Sequence, residues 1–283
     1  MQRRAAARIR YSIDRKTGAI RLATAGDTFD VRTAILLAAV CGQTYNQFSN
    51  AGGLHVVPHG YEVTGSFEAV FEGGVKERFG FVLESADTVI AAFRGTATAI
   101  DWITDVIARQ RKFPYAKNAG WTHQGFTDVY ASLRSGLRAA LSRARAGEKR
   151  LYVTGHSLGG ALATLCALDL AAGPVPLSPI VYTFGAPRVG DAAFAAAYNR
   201  QVGHSHRVYN SYDVVPHLPP LIYKSPRTGA TYHYLHVRTG RPLRFRNGSA
   251  SANHVIGSYF AELARQDAAF AERLCGTTPG LCP

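Results

Sequence analysis

The segment Leu151–Ala172 constrains the fold most, because it places one serine in the turn between a strand and a helix. The apolar strand Leu151–Thr154 leads into Gly155-His156-Ser157-Leu158-Gly159-Gly160, and a helix rich in alanine and leucine then continues to Ala172. Such a turn needs small residues on both sides of the serine, since the strained backbone brings strand and helix too close for side chains. The turn exposes the Ser157 hydroxyl and places the positive end of the helix dipole beside it. The pattern of glycines around Ser157 is weak evidence by itself. Its position between a strand and a helix is what indicates a nucleophilic serine.

Apolar periodicity predicts strands that alternate with helices along the 283 residues. Beyond the helix that ends at Ala172, predicted helices cover Phe29–Phe48, Val129–Ala146, Asp191–Gln201 and Ala252–Phe270. Predicted strands cover Ser66–Glu72, Glu77–Ser85, Thr88–Arg94, Leu151–Thr154, Ile180–Phe184, His206–Asn210, Tyr232–Arg238 and Leu243–Arg246, with Gly73-Gly74 as a hairpin turn. This alternation indicates an α/β fold that is largely parallel in its second half and has antiparallel strands at one edge. We expect a single domain over residues 26–283 and a basic N-terminal extension over residues 1–25.

The charge balance of +13, from 32 Lys and Arg against 19 Asp and Glu, predicts attraction to polyanions or to an anionic membrane surface. The cations are spread over the N-terminus, residues 134–150 and a predicted late hairpin at residues 238–246. No zinc-finger spacing or RNA-binding aromatic motif accompanies them, so the sequence does not favour a nucleic-acid partner. A hydrophobic content of 47% without Ser, Gln or Pro tracts excludes a largely disordered chain.

The four cysteines do not form a disulfide framework. Cys41 and Cys166 lie in apolar helical segments and are predicted to be buried thiols, whereas Cys275 and Cys282 flank a short loop that can be closed by a disulfide. No apolar segment follows the N-terminal arginines, so no Sec-type signal peptide is visible, and no stretch is apolar and long enough to span a bilayer. We expect a protein that stays inside the cell or leaves by another route, unless the chain lacks its native start.

Ser157 needs a base to take its proton, and the base needs an orienting carboxylate. In α/β proteins with this turn the acid follows the serine and the histidine comes last. Asp213 is the best candidate acid, because it follows the strand His206–Asn210 and so lies at the same edge of the sheet as the turn. The candidate bases are His217, His233, His236 and His254. His254 is preferred over His236, because it begins the last predicted helix, from where a loop can bring it over the turn.

An ordered series of motifs resembles the class 3 lipases, the fungal-type triacylglycerol lipases. The series comprises Ala92-Phe93-Arg94-Gly95-Thr96, Trp102-Ile103-Thr104-Asp105, His123-Gln124-Gly125-Phe126, the Ser157 turn, Phe184-Gly185-Ala186-Pro187-Arg188-Val189-Gly190, Asp213-Val214-Val215-Pro216, and His254 followed by Tyr259-Phe260. The resemblance runs from about Phe29 to Phe260. It implies an α/β-hydrolase fold, with a mixed central sheet flanked by helices and a short helical lid, and it supports His254 over His236.

The resemblance also implies roles for further residues. An oxyanion hole formed by the backbone N–H groups of Thr96 and Leu158 is implied, with the lid at roughly Ala97–Arg109. The proposed lid and substrate-binding side chains are Ile100, Ile103, Val106 and Ile107, which share one helical face, and the neighbouring Trp102. An ordinary surface helix that packs this face against the core is the alternative.

The function implied is a serine carboxylic ester hydrolase, above all a triacylglycerol lipase at a lipid–water interface, acting through Ser157, Asp213 and His254 and an acyl-enzyme. A phospholipase or short-chain carboxylesterase with the same triad is the alternative, and a non-catalytic lipid- or polyanion-binding protein is the alternative from another class. A lipid ester is the expected substrate. No metal, cofactor or obligate protein partner is expected.

Overall fold

The computed structural model describes residues 28–70, 72–96, 109–226, 228–238 and 240–283. Its strands are β1 (Glu62–Val70), β2 (Lys76–Glu84), β3 (Thr88–Phe93), β4 (Gln110–Lys112), β5 (Trp121–His123), β6 (Arg150–His156), β7 (Ile180–Phe184), β8 (His204–Asn210), β9 (Ile222–Lys224), β10 (Thr231–His233) and β11 (Gly240–Leu243). The α-helices in these ranges are α1 (Val31–Ser49), α2 (Gln124–Arg143), α3 (Leu158–Ala172), α4 (Ala192–Gln201), α5 (Ala250–His254), α6 (Ile256–Ala264) and α7 (Ala268–Thr277).

A seven-stranded mixed sheet, in the order β1-β2-β3-β6-β7-β8-β11, forms the centre of the fold. Strands β1, β2 and β3 pair antiparallel, whereas β3, β6, β7, β8 and β11 run parallel to one another. The predicted parallel second half and antiparallel edge are therefore confirmed, with Gly73-Gly74 between β1 and β2. Because the parallel strands all end at one edge, the turns that follow β3, β6 and β8 are brought together there.

Helices cover both faces of the sheet. Helices α2, α3 and α4 share one hydrophobic cluster with one set of strand side chains, including Val89, Ala91 and Phe93 of β3. The alternate residues Ile90 and Ala92 point to the opposite face and join the cluster of α1, α6 and α7. Helix α1 begins after Asp30, whose carboxylate accepts a hydrogen bond from the Thr33 N–H at 2.7 Å. The prediction of a central sheet flanked by helices is confirmed.

The single last helix predicted over Ala252–Phe270 is wrong, because this segment contains parts of three helices. Helix α5 ends at His254, and Val255 then adopts an extended conformation with φ −59° and ψ 142° before α6 begins. Helix α7 starts separately after Asp267, whose carboxylate accepts from the Phe270 N–H. The apolar pattern does not register these breaks, since the residues on either side still pack on the same core. His254 therefore lies at the end of a five-residue helix.

The predicted strands near the C-terminal third of the chain also need correction. Only Tyr232 and His233 of the segment Tyr232–Arg238 lie in a strand, β10, which pairs with β9 rather than with the central sheet. Leu235 makes an isolated bridge to Gly190, so His236 lies outside any strand. The predicted late hairpin is absent from the described residues at 238–246, where β11 adds in parallel to β8. Short pairings of this kind depend on partners far away in sequence, which local alternation does not encode.

The two buried thiols follow the sequence prediction, and the structure contains the disulfide that the sequence left open. Cys41 and Cys166 are buried free thiols, and Cys275 forms a disulfide with Cys282. No helix in the described ranges is long and apolar enough to cross a bilayer. The proposed basic extension over residues 1–25 lies outside the described residues.

Candidate active site

Ser157 lies in a strained turn between β6 and α3, as predicted. Its φ of 58° and ψ of −128° fall in a region that non-glycine residues rarely adopt. A Cβ on Gly155 would lie 2.2 Å from the Gly159 carbonyl oxygen, and one on Gly159 would lie 2.2 Å from the Phe93 carbonyl oxygen. The glycines of the motif are therefore required by close backbone approach, and they allow β3 to run directly beside the turn.

The turn is anchored by backbone hydrogen bonds at both ends. The Ser157 N–H donates to the Phe184 carbonyl oxygen of β7 at 3.0 Å, and the N–H groups of Gly160 and Ala161 donate to the Ser157 carbonyl oxygen. Leu158 is the first residue of α3, so its N–H belongs to the helix end that has no carbonyl partner within the helix. This N–H is a donor of the kind that stabilises developing negative charge beside Ser157.

His254 and Asp213 complete a hydrogen-bonded chain with Ser157. His254 Nε2 lies 2.8 Å from Ser157 Oγ, and His254 Nδ1 lies 2.7 Å from Asp213 Oδ2. A carboxylate only accepts, so Nδ1 carries the proton and Nε2 is left to accept the serine proton. All three side chains are buried, and the order Ser157, Asp213, His254 spans 97 residues of chain from serine to histidine.

Asp213 is held by two donors besides His254. The Val215 N–H donates to Oδ1 at 2.9 Å, and the Tyr259 hydroxyl donates to Oδ2 at 2.6 Å. The Tyr259 oxygen in turn accepts from the Asn210 N–H at 2.9 Å. Burial and the adjacent Asp213 charge raise the pKa of Tyr259 well above its usual range, so this hydroxyl stays protonated and keeps donating. These contacts fix the carboxylate in the plane that the imidazole needs.

The loop after β3 lies directly against the serine turn. A Cβ on Gly95 would lie 2.8 Å from the His156 carbonyl oxygen and 3.0 Å from Ser157 Cβ, and Thr96 is buried beside it. The residue before Thr96 therefore lies against the turn that Leu158 follows, and the oxyanion hole expected from Thr96 and Leu158 stays a prediction.

Arg94, at the start of this loop, is held by an ion pair and by two aromatic rings. Its guanidinium pairs with Glu77 at 2.6 Å and lies over the rings of Phe48 and Phe79, 3.7 and 4.4 Å from their centroids. Burial lowers the pKa of Arg94, and the pairing with Glu77 opposes that shift.

Of the four candidate bases, all in described parts of the chain, only His254 reaches Ser157 and Asp213. His236 Nε2 donates to the Pro216 carbonyl oxygen at 2.7 Å, and burial together with Arg207 lowers the pKa of His236 to about 3. His217 lies in the loop after Asp213, where its backbone carbonyl oxygen accepts a hydrogen bond from Arg188. His233 is exposed on β10.

Several residues at the site had no assigned role in the sequence analysis. His156 lies beside Ser157 in the motif, and its Nδ1 contacts the Tyr45 hydroxyl at 2.7 Å while its Nε2 contacts the His254 carbonyl oxygen at 2.6 Å. Adjacency to Ser157 was the only available signal for His156. Tyr45 carried none, since it is 111 residues away from His156 on α1.

The predicted lid lies outside the described residues. This applies to Ile100, Trp102, Ile103, Val106 and Ile107, all of which fall within residues 97–108. Within the described ranges, no group of three His, Cys, Asp or Glu side chains is placed to hold a metal ion.

Comparisons with known proteins bear on the family. The family model described as "Lipase (class 3)" matches residues 90–223, which include the turn at Ser157 and Asp213. A lipase of Rhizomucor miehei is 37% identical over 155 residues, covering 53% of this chain and 42% of that protein. A secreted mono- and diacylglycerol lipase of Fusarium solani is 34% identical over 146 residues, covering 51% of this chain and 43% of that protein. The chain thus spans less than half the length of these two relatives.

A wider but weaker similarity extends to a rice protein named phospholipase A1-II 4, which is 26% identical over 270 residues and covers 72% of this chain and 66% of that protein. Among solved structures, lipase II from Rhizopus niveus superposes with a TM-score of 0.62 at 24% identity, covering 78% of this chain and 82% of that one. The superposition establishes the shared α/β-hydrolase fold. The matched family segment and the two fungal relatives show that this chain is similar to the class 3 lipases, over a segment that includes Ser157 and Asp213.

Proposed function

We propose that the protein is a serine carboxylic ester hydrolase that acts on lipid esters, above all on triacylglycerols at a lipid–water interface. The observation that carries this proposal is the buried chain of hydrogen bonds from Ser157 Oγ to His254 Nε2 at 2.8 Å and from His254 Nδ1 to Asp213 Oδ2 at 2.7 Å. A serine hydroxyl becomes a nucleophile when a base is in reach of its proton and a carboxylate orients that base.

In the first step, Ser157 Oγ bonds to the ester carbonyl carbon while its proton passes to His254 Nε2. The carbonyl π electrons move onto oxygen, where the N–H groups of Leu158 and Thr96 are proposed to stabilise the charge. Loss of one such donor costs typically about 2.7–4 kcal/mol of transition-state stabilisation. Asp213 stabilises the imidazolium and does not itself take the proton.

In the second step, the carbonyl re-forms, the bond to the leaving alkoxide breaks, and His254 Nε2 protonates that alkoxide. Water then attacks the acyl-enzyme, giving its proton to His254, and the free acid leaves as Ser157 regains its proton. The residues of the chain account for each proton transfer in this cycle.

Acylglycerols are the preferred substrate class, because the relative with 34% identity is named a mono- and diacylglycerol lipase and the Rhizomucor relative with 37% identity is named a lipase; within this class we propose triacylglycerol. A phospholipase is the second candidate, favoured by the wider match to the rice phospholipase A1. The overall charge of +13 suits an anionic lipid surface, where each nearby Lys or Arg contributes about 1 kcal/mol. The lid proposed at Ile100, Trp102, Ile103, Val106 and Ile107 would respond to the same interface.

The test is the initial rate on p-nitrophenyl esters of increasing chain length, on an emulsified triglyceride and on phospholipid vesicles. We expect Ser157→Ala and His254→Ala to lower every rate by several powers of ten with the fold intact, and Asp213→Asn to be strongly impaired. His236→Ala is the matched control and keeps most of the activity. A folded His254→Ala variant with full turnover would refute the assignment, and a faster rate on phospholipid than on triglyceride would favour the second candidate.

Absence of hydrolysis by the folded wild-type protein on every ester would leave the non-catalytic lipid- or polyanion-binding alternative. Binding to DNA or heparin, in that case, is expected to fall steeply as salt rises.

A further inference from the structure

A second chain of hydrogen bonds runs behind the first and joins four parts of the site. It begins at Tyr45 on α1, whose hydroxyl lies 2.7 Å from Nδ1 of His156 on the last position of β6. It continues from His156 Nε2 to the backbone carbonyl oxygen of His254 at 2.6 Å. His156 is buried, and the hydrolytic cycle proposed above assigns no proton to it.

The partners fix the protonation state of the His156 ring. The His254 carbonyl oxygen only accepts, so His156 Nε2 carries a proton and donates it. A neutral ring then leaves Nδ1 as an acceptor for the Tyr45 O–H. Burial, together with the nearby His254, holds the pKa of His156 well below its usual range, and burial also raises the pKa of Tyr45. His156 therefore stays neutral, with its proton on Nε2, and Tyr45 stays protonated and keeps donating to His156 Nδ1 near neutral pH.

Tyr45 also contacts the loop that carries Thr96. A Cβ on Gly95 would lie 2.3 Å from the Tyr45 hydroxyl oxygen, so the backbone of this loop packs directly against the hydroxyl. One hydroxyl thus contacts the oxyanion loop and donates to the residue that precedes Ser157. The chain therefore connects the loop of Thr96, the serine turn and the backbone of His254, which belong to segments far apart in sequence.

We propose that Tyr45 and His156 are positioning residues, which hold the oxyanion loop, Ser157 and His254 at the spacing that the reaction needs. The inference rests on the proposed ester hydrolysis. His254 is the last residue of a short helix, and Val255 beyond it is extended, so its backbone carbonyl needs a fixed partner. The His156 N–H supplies that partner from the rigid end of β6. The two rings lie 4.6 Å apart between centroids, so a proton on His156 would repel the imidazolium that forms on His254.

The first test is Tyr45→Phe, which keeps the ring and removes the hydroxyl, with its hydrogen bond to His156 and its contact with Gly95. We expect kcat to fall by about 10- to 100-fold with KM nearly unchanged, because small misplacements of reacting groups cost factors of this size. Tyr198→Phe is the control, since it removes a hydroxyl that contacts Ser205 Oγ at 2.9 Å, away from the site; Tyr198 is fully buried, whereas Tyr45 is partly buried. The control keeps the wild-type kcat, even where its melting temperature falls as far as that of Tyr45→Phe.

The second test separates the two ends of the His156 ring. The amide of His156→Gln reaches the His254 carbonyl oxygen with an N–H, whereas that of His156→Asn reaches only toward Tyr45. We expect the Gln variant to retain a kcat about tenfold higher than the Asn variant at equal stability. In the wild-type protein, nitrogen NMR of labelled histidine is expected to show His156 as the neutral Nε2–H tautomer between about pH 5 and 8.

The outcomes separate this inference from the function on which it rests. If the wild-type protein hydrolyses no ester, the proposed function fails. If it hydrolyses esters but Tyr45→Phe retains full kcat, the positioning role of Tyr45 is refuted. Equal losses in His156→Gln and His156→Asn, or a protonated His156 at pH 6, would overturn the role given to the His156 N–H.

Discussion

Tyr259 and Tyr130 each donate a hydrogen bond to a buried aspartate, but only the aspartate bound by Tyr259 belongs to the candidate site. Comparing the two tyrosines therefore isolates the contribution of Tyr259 to catalysis. Tyr259 donates to Asp213 Oδ2 at 2.6 Å, and Tyr130 donates to Asp169 Oδ2 at 2.6 Å. Both rings and both carboxylates are buried. Only Asp213 contacts the candidate base, whereas Asp169 is paired with Arg134 on the outer side of α2 and α3. Phenylalanine at each position removes the hydroxyl and keeps the ring.

The expected magnitudes follow from the partners. A hydrogen bond to a charged group contributes about 1.5–3 kcal/mol, so we expect each variant to lose stability in that range. Tyr259→Phe loses about 1 kcal/mol more, because the buried Asn210 N–H that donates to its oxygen is left without that acceptor. If the full energy of the hydrogen bond to Asp213 stabilises the transition state, kcat of Tyr259→Phe falls roughly 10- to 150-fold. Tyr130→Phe keeps the wild-type kcat.

The assay is urea unfolding for stability and initial rates on a soluble short-chain ester for kcat, both with the folded variants at one pH. Unchanged kcat in Tyr259→Phe, beside a stability loss like that of Tyr130→Phe, would refute the reasoning, because the bond would then serve only the fold. Loss of kcat in both variants would also contradict it, since Tyr130 has no contact with the candidate site.

Three further outcomes are expected. Because the pKa of His236 is lowered to about 3 in the folded protein, the unfolded chain binds a proton between about pH 6.5 and 3 that the folded protein does not bind. The free energy of unfolding therefore falls as pH drops through this range. In urea unfolding, His236→Gln should show a smaller fall over the same range. On sequence grounds alone, Ile103→Asp combined with Ile107→Asp should weaken adsorption to an emulsion and spare a short soluble ester; equal loss on both substrates would argue against a lid. Vesicles of anionic lipid should recruit the Ser157→Ala protein better than neutral vesicles in a sedimentation assay, and equal recruitment would exclude a role for the +13 charge.

Much of the fold could be predicted because its signals are local. The run Ile180–Phe184 is apolar apart from Thr183 and becomes a strand with those bounds, and Asp191 caps α4 as its side-chain type predicts. The segment from residue 250 onward could not be divided correctly from its apolar pattern. The helices break at Val255 and before Asp267, where the backbone leaves the helical conformation. The apolar residues on either side of each break still pack against the core, so the apolar pattern continues through it.

The sequence by itself determined the strained turn at Ser157, since only glycine tolerates the 2.2 Å approaches at Gly155 and Gly159, and the chain order pointed to Asp213. The sequence and its resemblance preferred His254 among four candidate bases, but only the tertiary structure gave the distances from His254 to Ser157 and Asp213, because residue numbers carry none. It also revealed Tyr45 and His156 as neighbours across 111 residues. Local patterns encode backbone geometry and the burial of a face, whereas a contact between distant side chains is fixed only when the parallel strands end at one edge and the loops between them are brought together there.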